Sequence, residues 1–524
     1  MGKRKPTIIL LVLDTQRADR MSVYGYHKDT TPALRTLAVH STVFEWAIAP
    51  APWTIPSHAS MFTGLYPSTH QTNQSYSALP LGIPTLAELL RSNGYETVAF
   101  CNNVLVGVLE SGLKRGFNRF YNYGGTFPDG PDIGEVTIRR RVRNLVNTGM
   151  QKMWKPLERQ FARSPLLLKL ALMPTFGPFL LRLLKFKGDT GRSLHDAAEY
   201  LRYHCGTHPE QPLFMFLNVM ETHLPYCPPP DLVDKWAPYM KQNREARDFI
   251  QRFNTQSYRW MAPLSEPFNE TEQRALQDMY DAEVAYQDQL LGTFFRYLEQ
   301  SGLLENTLLI VTSDHGEAHG DHSLMGHAFA LYNEQVHVPL LIRHPELFPH
   351  GQRVRHHISS RRIFHTVLEA AGIEHGTQRH NVHELSLRRP TQDAHNELED
   401  EVVVAEAYPA RNFLKVVEMN DLKTVESFRM REIRRAIYDG HRKLISVGGQ
   451  PDELFDVGKD PLETENLLEN PASYENDVLQ LKNKLDQFAL SAEMRGDRPG
   501  ASTESDLSDD PELRQRLRGL GYFD

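Results

Sequence analysis

Short apolar runs, each almost uninterrupted by polar positions, recur along the chain. The first runs from Ile8 to Leu13, directly after a charged N-terminus. Three more are TVAFC at 97–101, PLFMFLNVM at 212–220 and TLLIVTSD at 307–314. Runs of this length and composition are typical of strands buried on both faces of a parallel sheet. We therefore predict an α/β fold with a mostly parallel central sheet flanked by helices.

A helix-like segment and a turn precede each of the three later runs. These segments are TLAELLRSNG at 85–94, SLHDAAEYLRYH at 193–204 and VAYQDQLLGTFFRYLEQSG at 284–302. In sheets built this way, ligands bind beyond the carboxyl ends of the strands. Polar residues just after the apolar runs are therefore the first candidates for a functional site, namely Asp14, Asn102, Asn103, Glu221, His223, Asp314 and His315.

The pattern changes near residue 400. Three short strand-like segments with turn signals are followed by a helix-like segment and a polar tail; they are EVVVAEAY at 401–408, RAIYDGHRKLISV at 435–447, DELFDV at 452–457 and YENDVLQLKNKLDQFAL at 474–490. We predict a larger domain at 1–385, a linker near 375–400 and, at 400–524, a smaller sheet-plus-helix subdomain with a polar tail.

Residues 139–192 differ in composition from the rest of the chain. They carry thirteen Lys and Arg against two acidic residues, and their middle reads PLLLKLALMPTFGPFLLRLLKFK. One interpretation is a surface helix pair that contacts an anionic membrane or admits a lipid-like substrate. The other is a helical hairpin that packs on the core and leaves a solvated basic edge. The sequence favours neither.

Charge and cysteine content narrow the class of protein. The formal net charge of −8 argues against nucleic acid as a partner. Cys101, Cys205 and Cys227 form no close-spaced pair, so neither a thiolate zinc site nor a disulfide framework is indicated. The N-terminal apolar run is too short for a signal peptide or a membrane span. We expect a cytoplasmic protein, with peripheral contact to the inner membrane surface through 139–192 as the open alternative.

Residues of the types that commonly bind metal ions follow two of the predicted strands. Asp14 follows the first run, and SDHGEAHGDH at 313–322 follows a late one. An Asp-His pair, a distant Asp and a hydroxyl group form a plausible oxygen and nitrogen ligand set for a divalent cation. Each residue alone is weak support, because a single Asp after a strand is more often a helix N-cap.

Four segments together resemble a known family. LVLDTQRADRMSVYGY, WTIPSHASMFTGLYPSTH, NVMETHLPY and VTSDHGEAHGDHSLMGHAFALYNEQVHVPLLI are similar, in the same order, to motifs of the sulfatase branch of the alkaline phosphatase superfamily. The resemblance covers about residues 7–372. DELFDVGKDPLETENL resembles the C-terminal subdomain of that family. The expected fold is therefore alkaline-phosphatase-like.

The resemblance implies a nucleophile and a metal site. The family places its nucleophile at the N-terminus of a helix, in a Cys/Ser-x-Pro-Ser-Arg-x-x-x-x-Thr-Gly pattern. Thr54 occupies that position here, with Pro56, Ser57, Thr63 and Gly64 matching. One divalent cation is implied, with manganese favoured and zinc, calcium or magnesium as alternatives. Its ligands would be Asp14, Thr54, Asp314 and His315.

Four further site residues follow from the resemblance. His223 matches a histidine that contacts the transferred group or protonates the leaving group. His327 lies where sulfatases often carry a substrate-binding lysine, and we expect both histidines to be catalytic. His58 replaces the arginine of the pattern, and Asn103 resembles a position near the transferred group. We expect these two side chains to bind substrate.

The departures from the family pattern bear on the reaction. Sulfatases need Cys or Ser for conversion to formylglycine, which threonine cannot form. Threonine nucleophiles occur in related lipoteichoic acid synthases and phosphoethanolamine transferases, which handle phosphoryl groups. Thr15 also replaces the second Asp of the usual Asp-Asp pair, and the spacing of Arg17 and Asp19 suits an ion pair that braces the first loop.

We therefore predict a metal-dependent hydrolase of phosphate esters, diesters favoured, that acts through a covalent Thr54 intermediate on a small anionic substrate. One alternative is a sulfatase. Another is a transferase that passes a phosphoryl-linked group from a lipid-like donor to an alcohol. A binding module without activity is disfavoured, because the predicted ligand set is intact. The leaving group and the oligomeric state are not encoded in any motif.

Overall fold

The computed structural model describes residues 4–74, 77–107, 109–124, 130–131, 187–255, 263–264, 266–375, 382–392 and 403–496. The basic insertion predicted at 139–192 lies outside these residues except for 187–192. The polar tail after residue 496 also lies outside them.

Strands form two main sheets and one short ribbon. In chain order the described strands are β1 (Thr7–Leu13), β2 (Thr42–Ile48), β3 (Glu96–Cys101), β4 (Arg119–Asn122), β5 (Leu213–Val219), β6 (Thr307–Thr312), β7 (Ala318–His319), β8 (Met325–Gly326), β9 (His337–Val338), β10 (Leu340–Arg343), β11 (Arg353–Ser359), β12 (Val403–Ala407), β13 (Arg434–Asp439), β14 (Arg442–Val447) and β15 (Gln450–Asp456). The four strands predicted from apolar runs are β1, β3, β5 and β6, and all four are confirmed.

The central sheet is mostly parallel. Its order is β11-β2-β10-β6-β1-β5-β3-β4, and β9 also pairs with β2. β1 lies between β5 and β6 and is parallel to both, whereas β10 and β9 are antiparallel to their neighbours. The parallel strands β1, β5, β3 and β6 therefore end at one edge, which brings their following loops together.

Both faces of β1 are buried, which explains its unbroken apolar run. Ile8, Leu10 and Val12 pack into one hydrophobic cluster, and Ile9, Leu11 and Leu13 pack into another on the opposite face. Side chains of a strand alternate between faces, so a strand covered on both sides needs apolar residues at every position. The helices on the two faces provide that cover.

The described helices are α1 (Pro32–Ala38), α2 (Thr54–Thr63), α3 (Pro67–His70), α4 (Leu86–Ser92), α5 (Val104–Gly107), α6 (Thr190–Thr207), α7 (Pro230–Trp236), α8 (Arg244–Thr255), α9 (Glu270–Gln300), α10 (Asn333–Val336), α11 (Ile363–Ala370), α12 (Val382–Leu385), α13 (Arg389–Gln392), α14 (Arg411–Asn420), α15 (Leu422–Ser427) and α16 (Glu475–Gly496). Short 3-10 segments lie at Ala18–Arg20, Ser22–Tyr24, Pro238–Lys241, Asp321–Ser323, Ser360–Arg362, Leu467–Glu469 and Pro471–Ser473.

The helices predicted before three of the strands are α4, α6 and α9. α9 begins well before the predicted segment at 284–302, because Asn269 and Glu272 form a capping box at its first turn. That polar signal lies outside the apolar pattern used for the prediction.

A small antiparallel sheet, ordered β12-β13-β14-β15, follows near the C-terminus. One face packs against α16, with Leu481 and Leu485 in a shared cluster. The other face contributes Ala405 and Phe455 to the same cluster as Ile8 of the central sheet. The predicted sheet-plus-helix subdomain is therefore confirmed, and it shares a continuous core with the larger sheet. The exact limits of the two units stay a prediction.

All three cysteines lie in the described part of the chain and are free thiols. Among the residues that the structure describes, no helix has the length and apolar character to cross a membrane. The cytoplasmic location stays a prediction.

Candidate active site

Three ligand-type side chains meet at the carboxyl edge of the central sheet. Asp14 follows β1, and Asp314 and His315 follow β6. One ligand atom from each lies within 4.8 Å of the others, and all three residues are fully buried. Because β1 and β6 are adjacent and parallel, their register places these loop residues side by side.

Asp14 is held by amides from two neighbouring strand ends. Asn103 Nδ2 donates to its Oδ2 at 2.6 Å, and Asn218 Nδ2 donates to the same oxygen at 3.2 Å. Oδ1 receives no hydrogen bond from the described residues. Burial, and then the charge of Asp314, raise the pKa of Asp14 to about 7.

Asp314, like Asp14, has one carboxylate oxygen that accepts hydrogen bonds and one that does not. Its Oδ1 accepts from the backbone N–H groups of Thr15 at 3.3 Å and His315 at 3.0 Å. In the described structure, Oδ2 accepts no hydrogen bond. Burial raises the pKa of Asp314 to about 7. Two buried carboxylates that each have an oxygen without a hydrogen bond, together with an imidazole, fit a divalent cation. The positive charge of such a cation would offset the cost of burying the two negative charges.

His315 presents Nε2 to this cluster. Its Nδ1 lies 2.9 Å from the carbonyl oxygen of Gly316, which can only accept, so Nδ1 carries the hydrogen and Nε2 the lone pair. Nε2 lies 3.3 Å from Thr54 Oγ1. Burial, and then the neighbouring His327, lower the pKa of His315 to about 4, which keeps the ring neutral and suited to metal binding.

Thr54 is the first residue of α2. The preceding Trp53 is extended, and Pro56 lies in the first turn, where its missing N–H costs no helical hydrogen bond. Every side chain from Thr54 to Thr63 is buried. Ser57 Oγ donates to the carbonyl oxygen of Asp314 at 2.6 Å, which fixes the start of α2 against the loop after β6. Thr54 Oγ1 therefore lies at the positive end of a rigidly placed helix.

His58 lies one turn further along α2. Its Nδ1 donates to the carbonyl oxygen of Thr54 at 2.9 Å and lies 3.5 Å from Asp314 Oδ2. Its ring packs edge-on against Phe62 and Phe216. Burial lowers the pKa of His58 to about 3, so this ring does not supply the positive charge of the family's arginine. Substrate binding by His58 stays a prediction.

Asn103 holds the strand end through hydrogen bonds of its side chain and its backbone. Besides the bond to Asp14, its Oδ1 accepts from the backbone N–H of Leu105 at 2.8 Å, and its own N–H donates to Asn218 Oδ1 at 3.1 Å. The geometry gives Asn103 a role in orienting Asp14. The predicted contact with substrate is a separate role that these contacts do not test.

Two further histidines, His327 and His223, lie beside His315. The ring of His327 has its centroid 4.4 Å from that of His315 and 5.5 Å from that of His223. His223 Nδ1 donates to the carbonyl oxygen of Leu224 at 2.7 Å. His327 Nδ1 lies 2.8 Å from Glu317 Oε1. Burial lowers the pKa of each of these two histidines to about 3 and raises that of Glu317 to about 7.

A buried ionic brace holds the loop after β1. Arg17 forms ion pairs with Asp19 at 2.8 Å and with Asp321 at 2.7 Å, so the predicted Arg17–Asp19 pair is confirmed. Thr15 has a left-handed backbone with a φ of 57°, which is costly for a β-branched residue. Tyr280 Oη donates to the carbonyl oxygen of Thr15 at 2.8 Å and helps to hold this conformation.

Two histidines of the SDHGEAHGDH run lie away from the cluster. His319 Nε2 is 2.8 Å from Tyr226 Oη, and His322 Nδ1 is 3.1 Å from Glu334 Oε1. Neither is within the group of metal-type ligands. Their omission from the predicted site agrees with this placement.

The predicted site residues all lie at one edge of the sheet, but two neighbours were missed. Asn218 is the single polar residue inside the apolar run of β5, and that isolation was a usable signal. Glu317 stands within the SDHGEAHGDH run, where the histidines drew more attention. Both contact predicted site residues directly.

A mostly parallel sheet with a buried Asp-Asp-His cluster beside a helix N-terminus defines the alkaline-phosphatase-like class of ester-cleaving enzymes. A family model described as Sulfatase matches residues 6–373, so the chain belongs to the sulfatase family. Members of this family typically bind a divalent metal ion. The roles of individual residues are not tested by this match.

Curated relatives and solved structures agree with this family. Arylsulfatase K of Xenopus laevis is 25% identical over 348 residues, which are 66% of this chain and 59% of that protein. The uncharacterized sulfatase YidJ of Escherichia coli is 22% identical over 89% of this chain and 84% of its own length. The phosphonate monoester hydrolase of Agrobacterium radiobacter superposes with a TM-score of 0.64 at 20% identity, covering 93% of this chain and 96% of that chain.

Proposed function

We propose that the protein is a metal-dependent hydrolase of phosphorus esters, with diesters and phosphonate monoesters favoured, and that Thr54 is its nucleophile. The observation that carries this proposal is the position of Thr54 Oγ1 at the first turn of α2, 3.3 Å from His315 Nε2. Asp14, Asp314 and His315 would hold a divalent cation together with Thr54. When bound, the cation supplies positive charge that favours the alkoxide of Thr54.

Threonine separates this chain from sulfatases that use formylglycine. A hydrated aldehyde can expel sulfate by breaking its own carbon–oxygen bond, whereas a threonine ester must be cleaved by attack of water. Attack of water at phosphorus is a common route for threonine-linked phosphoryl groups. The residue type therefore favours phosphorus over sulfur as the atom attacked.

The balance of charge favours a singly charged transferred group. In the described chain, no lysine or arginine forms an ion pair with Asp14, Asp314 or Glu317. A divalent cation would neutralise the first two carboxylates. A phosphodiester or a phosphonate monoester carries one negative charge, whereas an ionised phosphate monoester carries two and would need a further cation. Solved structures similar to this chain include two phosphonate monoester hydrolases, which supports the same substrate class.

Two histidines would help to move protons. In the first step, the alkoxide oxygen of Thr54 forms a bond to phosphorus as the bond to the leaving oxygen breaks, and the leaving oxygen takes the electron pair. In the second step, a water oxygen bonds to phosphorus and the Oγ–phosphorus bond breaks, with its electron pair returning to Oγ. The proton lost from water would be accepted by the lone pair of His327 Nε2 and then pass to the released oxygen. His223 Nε2 carries a lone pair and can accept a hydrogen bond from the substrate or water.

Sulfate ester hydrolysis is the second candidate, because the whole matched region belongs to the sulfatase family. Transfer from a lipid-like donor to an alcohol uses the same first step, with an alcohol in place of water in the second.

The test is a parallel rate assay of manganese-loaded protein on nitrophenyl esters of phosphate, phosphate diester, phosphonate and sulfate. Thr54→Ala is the blank, and Thr54→Ser is the matched control that keeps a hydroxyl group. We expect the diester or the phosphonate to be hydrolysed fastest, with turnover lost in Thr54→Ala and partly kept in Thr54→Ser. Retained turnover in Thr54→Ala would exclude Thr54 as the nucleophile, and a dominant sulfate rate would exclude the proposed substrate class.

A further inference from the structure

Thr15, which follows the candidate metal ligand Asp14, has a strained backbone. It is fully buried, and its φ of 57° lies in the left-handed region, which β-branched residues rarely adopt because of steric clashes. Residues in such conformations cluster at functional sites, and they persist only where the surrounding contacts enforce them. The contacts that enforce this conformation are therefore candidates for a functional role.

The peptide group that joins Asp14 to Thr15 is bonded to both carboxylate-bearing residues of the site. The N–H of Thr15 donates to Asp314 Oδ1 at 3.3 Å. The carbonyl oxygen of Asp14 accepts from Thr15 Oγ1 at 2.7 Å and from Thr222 Oγ1 at 2.6 Å. The other carboxylate oxygen of Asp314, Oδ2, lies 3.4 Å from His315 Nε2. The direction of the Thr15 N–H therefore helps to set where Asp314 presents Oδ2 to the cluster.

The next peptide group, which joins Thr15 to Gln16, is held by Tyr280 of α9. Tyr280 has no exposed surface, and its Oη donates to the carbonyl oxygen of Thr15 at 2.8 Å. The same hydroxyl accepts from the backbone N–H of Arg17 at 2.9 Å. The N–H of Gln16 donates to Ser313 Oγ at 3.0 Å. Because φ relates the N–H of a residue to its carbonyl group, contacts on both peptide groups fix the φ of Thr15.

We propose that Tyr280 is a positioning residue of the metal site. By holding the carbonyl oxygen of Thr15, it maintains the left-handed conformation in which the Thr15 N–H orients Asp314. Without the hydroxyl of Tyr280, Thr15 relieves its strain by turning to a negative φ, and its N–H leaves Asp314 Oδ1. Tyr280 acts through Thr15 and not by contact with the cation. The inference rests on the proposed function for the presence of a divalent cation at the site.

The test measures the dissociation constant of manganese by titration calorimetry of the metal-free protein, without substrate. Tyr280→Phe keeps the ring and removes the hydroxyl group, which leaves two buried backbone groups without this partner. We expect the dissociation constant to rise by about 10-fold or more. Tyr200→Phe is the matched control and should leave the constant unchanged. Tyr200 is a buried tyrosine of α6, and its hydroxyl bonds to Glu96 at the amino end of β3, away from the carboxyl edge that carries the site.

A rescue experiment separates the backbone of Thr15 from general packing. Glycine adopts a positive φ without strain, so Thr15→Gly combined with Tyr280→Phe should recover most of the lost manganese affinity. The carbonyl oxygen of Asp14 keeps its bond from Thr222 in this double variant. Thr15→Val is the matched control for the rescue, because it also removes the hydroxyl group but keeps the β-branch. Combined with Tyr280→Phe, it should bind manganese no more tightly than Tyr280→Phe alone.

Three results would overturn the positioning role of Tyr280. They are manganese binding by Tyr280→Phe as tight as that of the wild type, absence of rescue by Thr15→Gly, and equal rescue by Thr15→Val. If Tyr280→Phe alone does not fold, the two double variants carry the test, and binding by the glycine variant no tighter than by the valine variant overturns the role.

Failure of the proposed function gives different results. The manganese constants are measured without substrate, so they depend neither on the ester that is hydrolysed nor on the nucleophile. Turnover by Thr54→Ala, or a dominant sulfate rate, would contradict the proposed function and leave the role of Tyr280 intact. A wild-type protein that binds no manganese would overturn both the metal dependence and this role.

Discussion

At the scale of single residues, the main feature of the site is that its two aspartates each have one carboxylate oxygen that accepts no hydrogen bond from the described residues. Asp14 and Asp314 each have one oxygen satisfied by amide donors and one without a described donor. The hydrogen-bonded oxygen fixes the orientation of the carboxylate, and each carboxylate offers one oxygen to the cluster that also contains His315. Each carboxylate is thus oriented before any cation binds, which reduces the ordering required on binding.

Asp314→Asn should remove the bound metal. The amide keeps the size of the side chain but loses the charge that attracts the cation. We expect metal analysis after gel filtration in manganese to show about one ion per wild-type chain and much less than one for the variant. Asp288→Asn is the control, because Asp288 is a buried carboxylate that accepts from the backbone of Ala33 and Leu34 and does not belong to the cluster. Full occupancy in Asp314→Asn would exclude the predicted ligand set.

The stability of the metal-free protein should depend on pH through the same two carboxylates. Burial raises the pKa of Asp14 and Asp314 from 3.8 to about 7, so the folded state holds their protons more tightly than the unfolded state. Their contribution to stability is complete below about pH 4 and is lost as the pH rises through about 7. We expect the free energy of unfolding in chelator to fall over this range, and manganese to restore it increasingly as the pH rises.

Denaturant unfolding at several pH values, of the wild type and of the double variant that combines Asp14→Asn and Asp314→Asn, checks this dependence of stability on pH. The double variant has neither titrating group, so the part of the pH dependence between about 4 and 7 that is due to them should be absent. An identical pH dependence in the two metal-free proteins would show that these carboxylates do not carry the raised pKa.

At the scale of elements, the loop after β6 does most to build the site. It supplies Asp314, His315 and Glu317 within four positions, and it is clamped on three sides. Arg17 binds it from the loop after β1, and the backbone of Glu334 binds it from α10. His322, which follows β7, bonds to Glu334 and to the carbonyl oxygen of Glu463 in the C-terminal subdomain. The C-terminal subdomain therefore takes part in holding the segment that follows the candidate site residues.

Gly316→Ala should disturb this loop. The added Cβ would lie 2.1 Å from the carbonyl oxygen of Glu334, so the backbone has to move. We expect the free energy of unfolding to fall by about 1 to 3 kcal/mol, as in other overpacked sites, and kcat to fall by about 10²-fold through misplaced neighbours.

Gly206→Ala is the matched control for this change. Gly206 lies in α6 with no heavy atom within 4 Å of an added Cβ. Alanine there should be neutral or stabilise by up to about 1 kcal/mol through helix propensity. Thermal or denaturant unfolding and the nitrophenyl assay report both effects. A Gly316→Ala protein as stable and active as Gly206→Ala would show that the loop tolerates displacement.

At the scale of the whole molecule, the described end of the basic insertion, residues 187–192, lies beside the candidate site. Asn102 Nδ2 donates to the carbonyl oxygen of Lys187 at 3.2 Å, and Lys187 Nζ donates to that of Glu221 at 2.7 Å. Asn102 and Glu221 follow the carboxyl ends of β3 and β5. The segment at 139–192 therefore ends at the same edge of the sheet as the candidate catalytic residues.

If the insertion contacts membranes, anionic vesicles should sediment the protein in a salt-dependent way. Thirteen basic residues attract an anionic surface, and salt screens that attraction. We expect binding at about 50 mM salt, release at about 0.5 M, and no binding to neutral vesicles. Replacing Arg139, Arg140, Arg141 and Arg143 with Gln should weaken binding without changing the nitrophenyl rates. Absence of binding at low salt would leave the packed hairpin as the interpretation.

The sequence by itself determined the α/β order, the four central strands, the C-terminal sheet and the family. These features depend on local signals, namely apolar runs that match fully buried strands and motifs read over a few residues. It also placed Asp14, Thr54, Asp314 and His315 at element ends, where ligands bind. The start of α9 was misjudged because its capping box is polar.

Only the tertiary structure decided which contacts these residues make. Asn218 reaches Asp14 across 204 positions of the chain, and Ser57 reaches the backbone of Asp314 across 257. The pairing of Glu317 with His327 depends on a loop that Glu334 and Arg17 hold in place. Local periodicity carries no information on such pairs, because they form only when parallel strands bring distant loops to one edge of the sheet.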